Sequence, residues 1–228
     1  MILFPYHVVD ENLVLYTRPE LEQRFPLAWL YLNDARELLK SREDGRWNVE
    51  QWWQFGRNQN IAEMAMPKIL NQVLASKSSF AYDPNGQYCF VGGGNAGGYG
   101  LRVKSNIGFS DHYILGILNS NVADYFVKQT STPFRGGFFS YAKRFIKNIP
   151  IPTPSANLRE RIAAVARACL DAAKDHPDRL PALESELNAL VYQAYGLDEG
   201  DVRVIEGSVG KTAHSAQGDG GDLNEDGA

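Results

Sequence analysis

The sequence predicts a mixed α+β fold: a short, twisted, mostly antiparallel sheet packed by helices, then a two-helix hairpin and a disordered tail. Three observations carry this expectation. Strand-like runs gather between residues 70 and 104 around turn residues, and helical periodicity dominates 26–40 and 111–129. Pro150, Pro152 and Pro154 then separate those segments from two further amphipathic stretches. At 228 residues, 44% apolar and 11% aromatic, the chain can build one good core, or one domain with a helical appendage.

The elements follow in order. PLAWLYLNDARELLK, residues 26–40, spaces Leu27, Leu30, Tyr31, Ala35, Leu38 and Leu39 as one helical stripe to be buried. In WWQFGRNQN, Trp52, Trp53 and Phe55 are expected in the core, while Arg57 and Asn58 are candidates for phosphate or base-edge contacts. A short apolar run, KILNQVL, follows Pro67. FAYD reads as a strand, Asp83-Pro84-Asn85-Gly86 as a turn with Gly86 supplying positive φ, and QYCFV as a second strand. YGLRVKS alternates like another.

Asp111 reads as the N-cap of DHYILGILNSNVADYFVKQ, whose apolar residues from Ile114 to Phe126 make a broad stripe. Each of the three prolines near 150 lacks an amide donor and disfavours helix in the residue before it, which predicts an extended connector. Beyond it, LRERIAAVARACLDAAKD stripes at Ile162, Val165, Ala166, Cys169 and Ala173. ALESELNALVYQAYG stripes at Leu183, Leu187, Leu190, Val191 and Ala194 before Gly196, and the pair is expected as an antiparallel hairpin. From about Gly207 the composition turns to Gly, Asp, Ser and Asn, which predicts disorder. The expected organisation is thus a domain over 1–150, a hairpin over 155–200 and a tail over 207–228.

Composition narrows the function classes. Cys89 and Cys169 stand far apart and belong to no CxxC pair, so a reduced, cytoplasmic setting is expected rather than a disulfide framework. His7, His112, His176 and His214 are scattered without metal-ligand spacing, and no metal is expected. No apolar run approaches the roughly 18 residues of a membrane span, and MILFPYHVVDEN lacks the basic region and cleavage site of a secretory signal. The net charge of −4 hides an asymmetry: residues 51–150 hold 10 Lys+Arg against 4 Asp+Glu, whereas both flanks are acidic. A basic middle fits a polyanion partner, and equally an ordinary basic surface.

Phe90 to Gly100, FVGGGNAGGYG, contains a GxGxxG spacing. A dinucleotide loop must open a helix whose N-terminal amides hold pyrophosphate, and here a strand-like segment follows instead. A bulged connection between strands is the expected reading. Gly92, Gly93, Gly94, Gly97 and Gly98 remain candidates for a loop lying close to a nucleic-acid backbone. EGSVGKT, Glu206 to Thr212, resembles a phosphate loop only in part, since Ile205 stands where glycine is required. Paired carboxylates such as Glu43 and Asp44 sit in polar settings, and no histidine attends Ser131 or Ser140. The sequence therefore offers no catalytic constellation.

The richest segment is TPFRGGFFSYAKRFIKN, Thr132 to Asn148. It mixes Arg135, Lys143, Arg144 and Lys147 with Phe138, Phe139, Tyr141 and Phe145 around Gly136-Gly137. Cations neutralise phosphates and aromatic rings stack on bases, so the mixture suits a DNA-facing element. It suits equally an amphipathic segment whose rings are core and whose cations are solvated.

Taken in order, RFPLAWLYLNDARELLKSRE, WWQFGRNQN, PKIL, FAYDPNGQYCFVGGGNAGGYGLRVKS, HYILGILNSNVADYFVKQTSTPFRGGFFSYAKRFIKNIPIP and LNALVYQAYGL resemble the TaqI-like C-terminal specificity domain of restriction-modification adenine methyltransferases. The resemblance runs from roughly residue 1 to 200, and YILGILNSNVADYFVKQTSTPFRGG with the IPIP connector is its most specific part. It implies a target-recognition module for double-stranded DNA. In such enzymes a separate domain binds S-adenosylmethionine and flips adenine into an Asn-Pro-Pro-Tyr or Asn-Pro-Pro-Phe site. This chain contains neither tetrapeptide, so no cofactor is expected in it, and a methyltransferase catalytic domain or subunit is the expected partner. Carried over by position, the DNA-facing candidates are Arg57, Asn58, Lys68, Arg135, Tyr141, Lys143, Arg144 and Lys147. The competing expectation is an interaction module that docks to a methyltransferase through the hairpin without reading DNA.

Overall fold

The structure, a computed structural model, describes residues 3–10, 12–56, 61–90 and 97–211. The chain divides into two compact units, Met1–Met66 with Asn85–Cys89, and Pro67–Pro84 with Phe90–Ala228.

The first unit opens with an antiparallel hairpin, β1 (Tyr6–Val9) and β2 (Asn12–Leu15), in which Tyr6 faces Leu15 and Val9 faces Asn12. α1 (Arg18–Arg24) starts at a reciprocal cap: Thr17 Oγ1 accepts from the Glu20 amide and the Glu20 carboxylate accepts from the Thr17 amide. α2 (Pro26–Asp34) and α3 (Arg36–Lys40) follow, where the sequence predicts one continuous helix. The helix breaks at Ala35, with φ −88° and ψ 7°. In α4 (Arg42–Gly45), Glu43 and Asp44 take left-handed φ of 50° and 57°, which turns the chain sharply before Trp47. α5 (Ile61–Met64) is a single turn.

On α2 the buried face is not the expected one, while Leu39 on α3 packs inward as expected. Leu32 and Trp29 pack with Leu21, Leu39, Trp52 and Trp53, whereas Leu27 is 82% exposed and Leu38 73%. The reason is aromatic competition. Trp29 meets Trp53 edge-on at 5.5 Å and Trp52 at 5.6 Å, and burying an indole removes more apolar area than burying a leucine. The cluster is fixed at its rim: Trp53 Nε1 donates to the Tyr16 carbonyl, and Arg42 donates to the carbonyls of Leu39, Trp52 and Gln54. Trp52 and Trp53 are core, as expected, and Phe55 is half-buried.

The second unit holds two three-stranded antiparallel sheets. β3 (Lys68–Gln72) lies between β5 (Phe80–Asp83) and β6 (Gly98–Leu101), and β8 (Phe138–Ser140) lies between β4 (Leu74–Ala75) and β7 (Pro133–Phe134). FAYD and the strand after the glycines form as predicted, and Gly86 has φ +64°. QYCFV does not form a strand over 87–90; KILNQ takes the central place instead. The strand reading of QYCFV rests on the turn before it, a local signal, whereas β3 is tied to β5 by a register that sets Lys68 opposite Asp83 and joins them in an ion pair.

The expected helix over 111–129 is two helices, α6 (Asp111–Leu118) and α7 (Asn121–Thr130). Ser110 rather than Asp111 caps the first, and Ser120 caps the second through the Ala123 amide. Between them, the Asn119 amide accepts from the Phe80 N–H and donates to the Phe80 carbonyl, extending edge strand β5 with a side chain. Both helices close over the sheets around Ile69, Phe80, Leu115, Leu118, Val127, Tyr141 and Ile146. α8 (Lys143–Ile146) is a short turn that leads into the extended proline connector.

α9 (Ala156–Asp175) and α10 (Leu180–Tyr195) fold back on each other across a 3-10 turn at Pro177–Arg179 and pack on α6 through Tyr113, Ile117, Ile162, Leu187 and Val191. α11 (Glu199–Lys211) has no counterpart in the sequence expectation; it runs past Gly207, where composition predicts the tail, and lies against α7. Residues 212–228 fall outside the described residues. Among the described residues no helix is long and apolar enough to cross a membrane, and no cluster of potential metal ligands occurs.

Candidate nucleic-acid interface

The basic segment Thr132–Asn148 is built as a hairpin and a helical turn. β7 and β8 are joined through Arg135, Gly136 and Gly137, with φ of +76° and +75° at the two glycines, a left-handed tip that residues with a Cβ seldom adopt. Arg135 stands exposed on this tip, and Phe138 beside it is 43% exposed. Behind the tip the chain is bolted down. The Tyr141 amide donates to the Val73 carbonyl at 2.7 Å, and Asn71 Nδ2 donates to the Tyr141 carbonyl at 3.0 Å.

α8 then divides its residues by face. Ile146 is buried and Phe145 half-buried, while Lys143, Arg144 and Lys147 point to solvent. The Arg144 guanidinium lies 4.7 Å from the Phe145 ring centroid, which orders its head without neutralising it. Arg135, Lys143, Arg144 and Lys147 are thus all exposed along a segment whose backbone is tied to Val73 and Asn71 at Tyr141. Lys77 joins them: β4 runs antiparallel to β8 toward the hairpin tip, and exposed Lys77 stands just past its end. Sequence reasoning missed Lys77, whose only signal is its place in the basic middle.

Two expected contacts lie elsewhere. Tyr141 is 1% exposed, and its hydroxyl donates to Asp124 Oδ1 at 2.6 Å. Burial first, and the Asp124 charge second, push the phenol pKa far up, so it stays a donor. The same carboxylate accepts from the Ser78 amide at 2.7 Å and pairs with Lys128 at 2.7 Å. Lys68 is 2% exposed, its ammonium 2.6 Å from Asp83 Oδ2. In this conformation Tyr141 and Lys68 are core residues, with no route to a phosphate or a base. Arg57, Asn58, Gly92, Gly93 and Gly94 lie outside the described residues.

Gly97 and Gly98 lead into β6, not into a helix. A Cβ at Gly98 would overlap the Phe90 ring and stand 2.7 Å from the Asn71 carbonyl oxygen. One at Gly100 would stand 2.8 Å from Cδ of Lys68. Close packing over β3 therefore accounts for glycine at both positions. The segment that follows the glycines is a strand, so no helix N-terminus stands after them to hold a pyrophosphate, as the sequence predicts.

Two curated relatives place the chain within larger proteins. It is 25% identical over 161 residues to the type II restriction enzyme and methyltransferase RM.Eco57I of Escherichia coli, covering 67% of this chain and 16% of that protein. It is 25% identical over 203 residues to the type II methyltransferase M.BanIII of Aneurinibacillus aneurinilyticus, covering 85% of this chain and 34% of that protein. The chain thus spans about a third or less of the length of these relatives. The TaqI-like C-terminal specificity domain matches residues 23–151, a range that takes in the indole cluster, both sheets and the cationic hairpin. With more than half of its length under that match, the chain belongs to the TaqI-like C-terminal specificity domain family.

Proposed function

We propose that this chain reads a DNA target sequence for a restriction-modification adenine methyltransferase whose methyl-transfer domain lies in another part of the protein or in a partner subunit. The observation that supports it most is the cationic hairpin and turn, with Arg135, Lys143, Arg144 and Lys147 exposed around a fixed backbone. Phosphate contacts of this kind set register and supply affinity, while sequence is read by other groups in the groove. S-adenosylmethionine and the flipped adenine belong, in this proposal, to the catalytic domain. The domain boundaries follow the same division: residues 1–150 for recognition, and 155–200 for spacing or docking.

The test is binding to a mixed-sequence duplex as a function of salt. Affinity is expected to fall steeply, with a slope of log K on log salt that Arg135→Ala, Arg144→Ala and Lys147→Ala together flatten by about 0.9 for every phosphate left without its cation. An unchanged slope removes this segment from the DNA face. A second reading, docking to a methyltransferase without DNA contact, is favoured by the exposed apolar stripe of Leu27, Leu30, Tyr31 and Leu38 on α2 and α3. A folded chain with no affinity for duplex at low salt would leave that reading alone.

A further inference from the structure

We infer that the first unit carries a second phosphate-backbone seat, a cavity of about 440 Å³ in which Arg18, Arg36 and Lys40 surround the indoles of Trp29 and Trp52. It deepens the DNA reading and rests on it. It lies within residues 18–53, a segment whose overall charge is not basic, so neither composition nor the basic middle of the chain points to it.

The cavity is built by the aromatic competition that turned α2 over. With Trp29 packed partly inward, Arg36 and Lys40 fall one helical turn apart on α3, along the same side. Arg36 stacks over Trp52 at 5.8 Å and Arg18 over Trp29 at 5.7 Å from the ring centroids. These contacts hold two guanidinium groups against the indoles without consuming their charge. Arg18 also reaches Glu22 at 2.8 Å, an exposed pair of little energetic weight. Arg36 and Lys40 make no ion pair among the described residues. Glu50 is the acid that lines the cavity, against three cations, and the Asn33 side chain offers an amide donor at its wall.

The chemistry so assembled fits an oxyanion. Guanidinium groups recognise phosphate in a fork geometry, a lysine adds a point charge, and an amide completes the donor set. A lone carboxylate would meet Glu50 at similar cost and could fill one guanidinium fork, but it sets one negative charge against three cations. A phosphodiester strand places one phosphate after another past the three cations. The indole faces are already covered by the arginines, so the seat takes backbone and does not stack bases.

The test uses a property of this sequence: all four tryptophans, Trp29, Trp47, Trp52 and Trp53, lie in the first unit. Intrinsic tryptophan fluorescence therefore reports on that unit alone, while anisotropy of a labelled mixed-sequence duplex reports total binding. The full chain is expected to show a saturable fluorescence change that tracks anisotropy. Arg36→Ala with Lys40→Ala is expected to abolish the fluorescence change and flatten the salt slope by about 1.8, two phosphates' worth, while binding persists. Arg36→Lys with Lys40→Arg restores the slope, which separates charge from folding damage. The triple substitution at Arg135, Arg144 and Lys147 keeps the fluorescence response.

Binding with an unchanged slope in the Arg36/Lys40 double variant overturns the inference and leaves the DNA reading standing. No binding by the unaltered chain at low salt overturns both. A fluorescence change produced by inorganic phosphate, and not by duplex at matched ionic strength, assigns the cavity to a free anion and overturns the inference too.

Discussion

Replacing Asp124 by alanine is expected to cost far more stability than replacing Tyr141, one of its partners, by phenylalanine. One carboxylate holds three groups from different segments: the Ser78 amide, the Tyr141 hydroxyl and the Lys128 ammonium. The Lys128 and Asp124 side chains are 6% and 5% exposed. Removing one partner of a buried pair costs about 3–5 kcal/mol, and each neutral donor left buried and unsatisfied costs about 1–3 kcal/mol. These terms are not additive, because Lys128 can swing its stem outward and a vacated site relaxes. A total of about 4 kcal/mol follows, a large share of the 5–15 kcal/mol typical of a domain. Urea denaturation followed by circular dichroism measures it. Tyr141→Phe strands no partner donor and loses one hydrogen bond, for about 1 kcal/mol. Asp124→Asn keeps an acceptor and falls between the two. An Asp124→Ala loss no larger than that of Tyr141→Phe would refute the idea that this carboxylate is a hub. Because Tyr141 lies in the core, its phenylalanine variant is also expected to leave the salt dependence of DNA binding unchanged.

Two smaller predictions concern packing and reactivity. Gly98→Ala is expected to destabilise by about 1–3 kcal/mol and by more than Gly100→Ala, because its new methyl meets a backbone carbonyl and an aromatic ring, whereas at Gly100 it meets the stem of Lys68; equal urea midpoints for the two variants would contradict this. Burial first, then Glu184 and Glu186, raise the Cys169 thiol to about 11. The thiol form therefore persists below that value, and at pH 8 only about one group in a thousand is thiolate. In a Cys89→Ser background, iodoacetamide should modify Cys169 about a hundredfold more slowly than a small-molecule thiol, with a rate that climbs toward pH 11; rapid labelling at pH 8 would contradict it.

What sequence reasoning recovers here is what a local window contains. The proline connector, the hairpin stripes at Ile162, Leu187 and Val191, the positive φ of Gly86 and the solvent exposure of Lys143, Arg144 and Lys147 all follow from neighbours within a few positions. What it misses depends on partners far along the chain. Asn119 breaks a helix because it pairs with Phe80, 39 positions away. Lys68 and Tyr141 look like surface cation and base-stacking ring until Asp83 and Asp124 arrive beside them. QYCFV and KILNQ are both short runs with adjacent apolar residues, and the charge pairing across β3 and β5 marks KILNQ as the central one. The α2 stripe inverts for a related reason, since periodicity counts apolar positions but does not weigh an indole against a leucine.

The buried ion pairs have one more effect, on how a partner approaches. Between Pro67 and Pro150 the three aspartates all face protein groups: Asp83 meets Lys68, Asp124 meets Lys128 and Tyr141, and Asp111 accepts from the Tyr82 hydroxyl. Lys77, Lys104, Arg135, Lys143, Arg144 and Lys147 stay in water over the same stretch. A stretch whose anions are all engaged by protein groups projects a locally positive field out to about a Debye length, about 8 Å at physiological ionic strength. A polyanion would be drawn in and oriented before any contact forms, so that the speed of encounter, and not only its strength, depends on where these carboxylates find their partners.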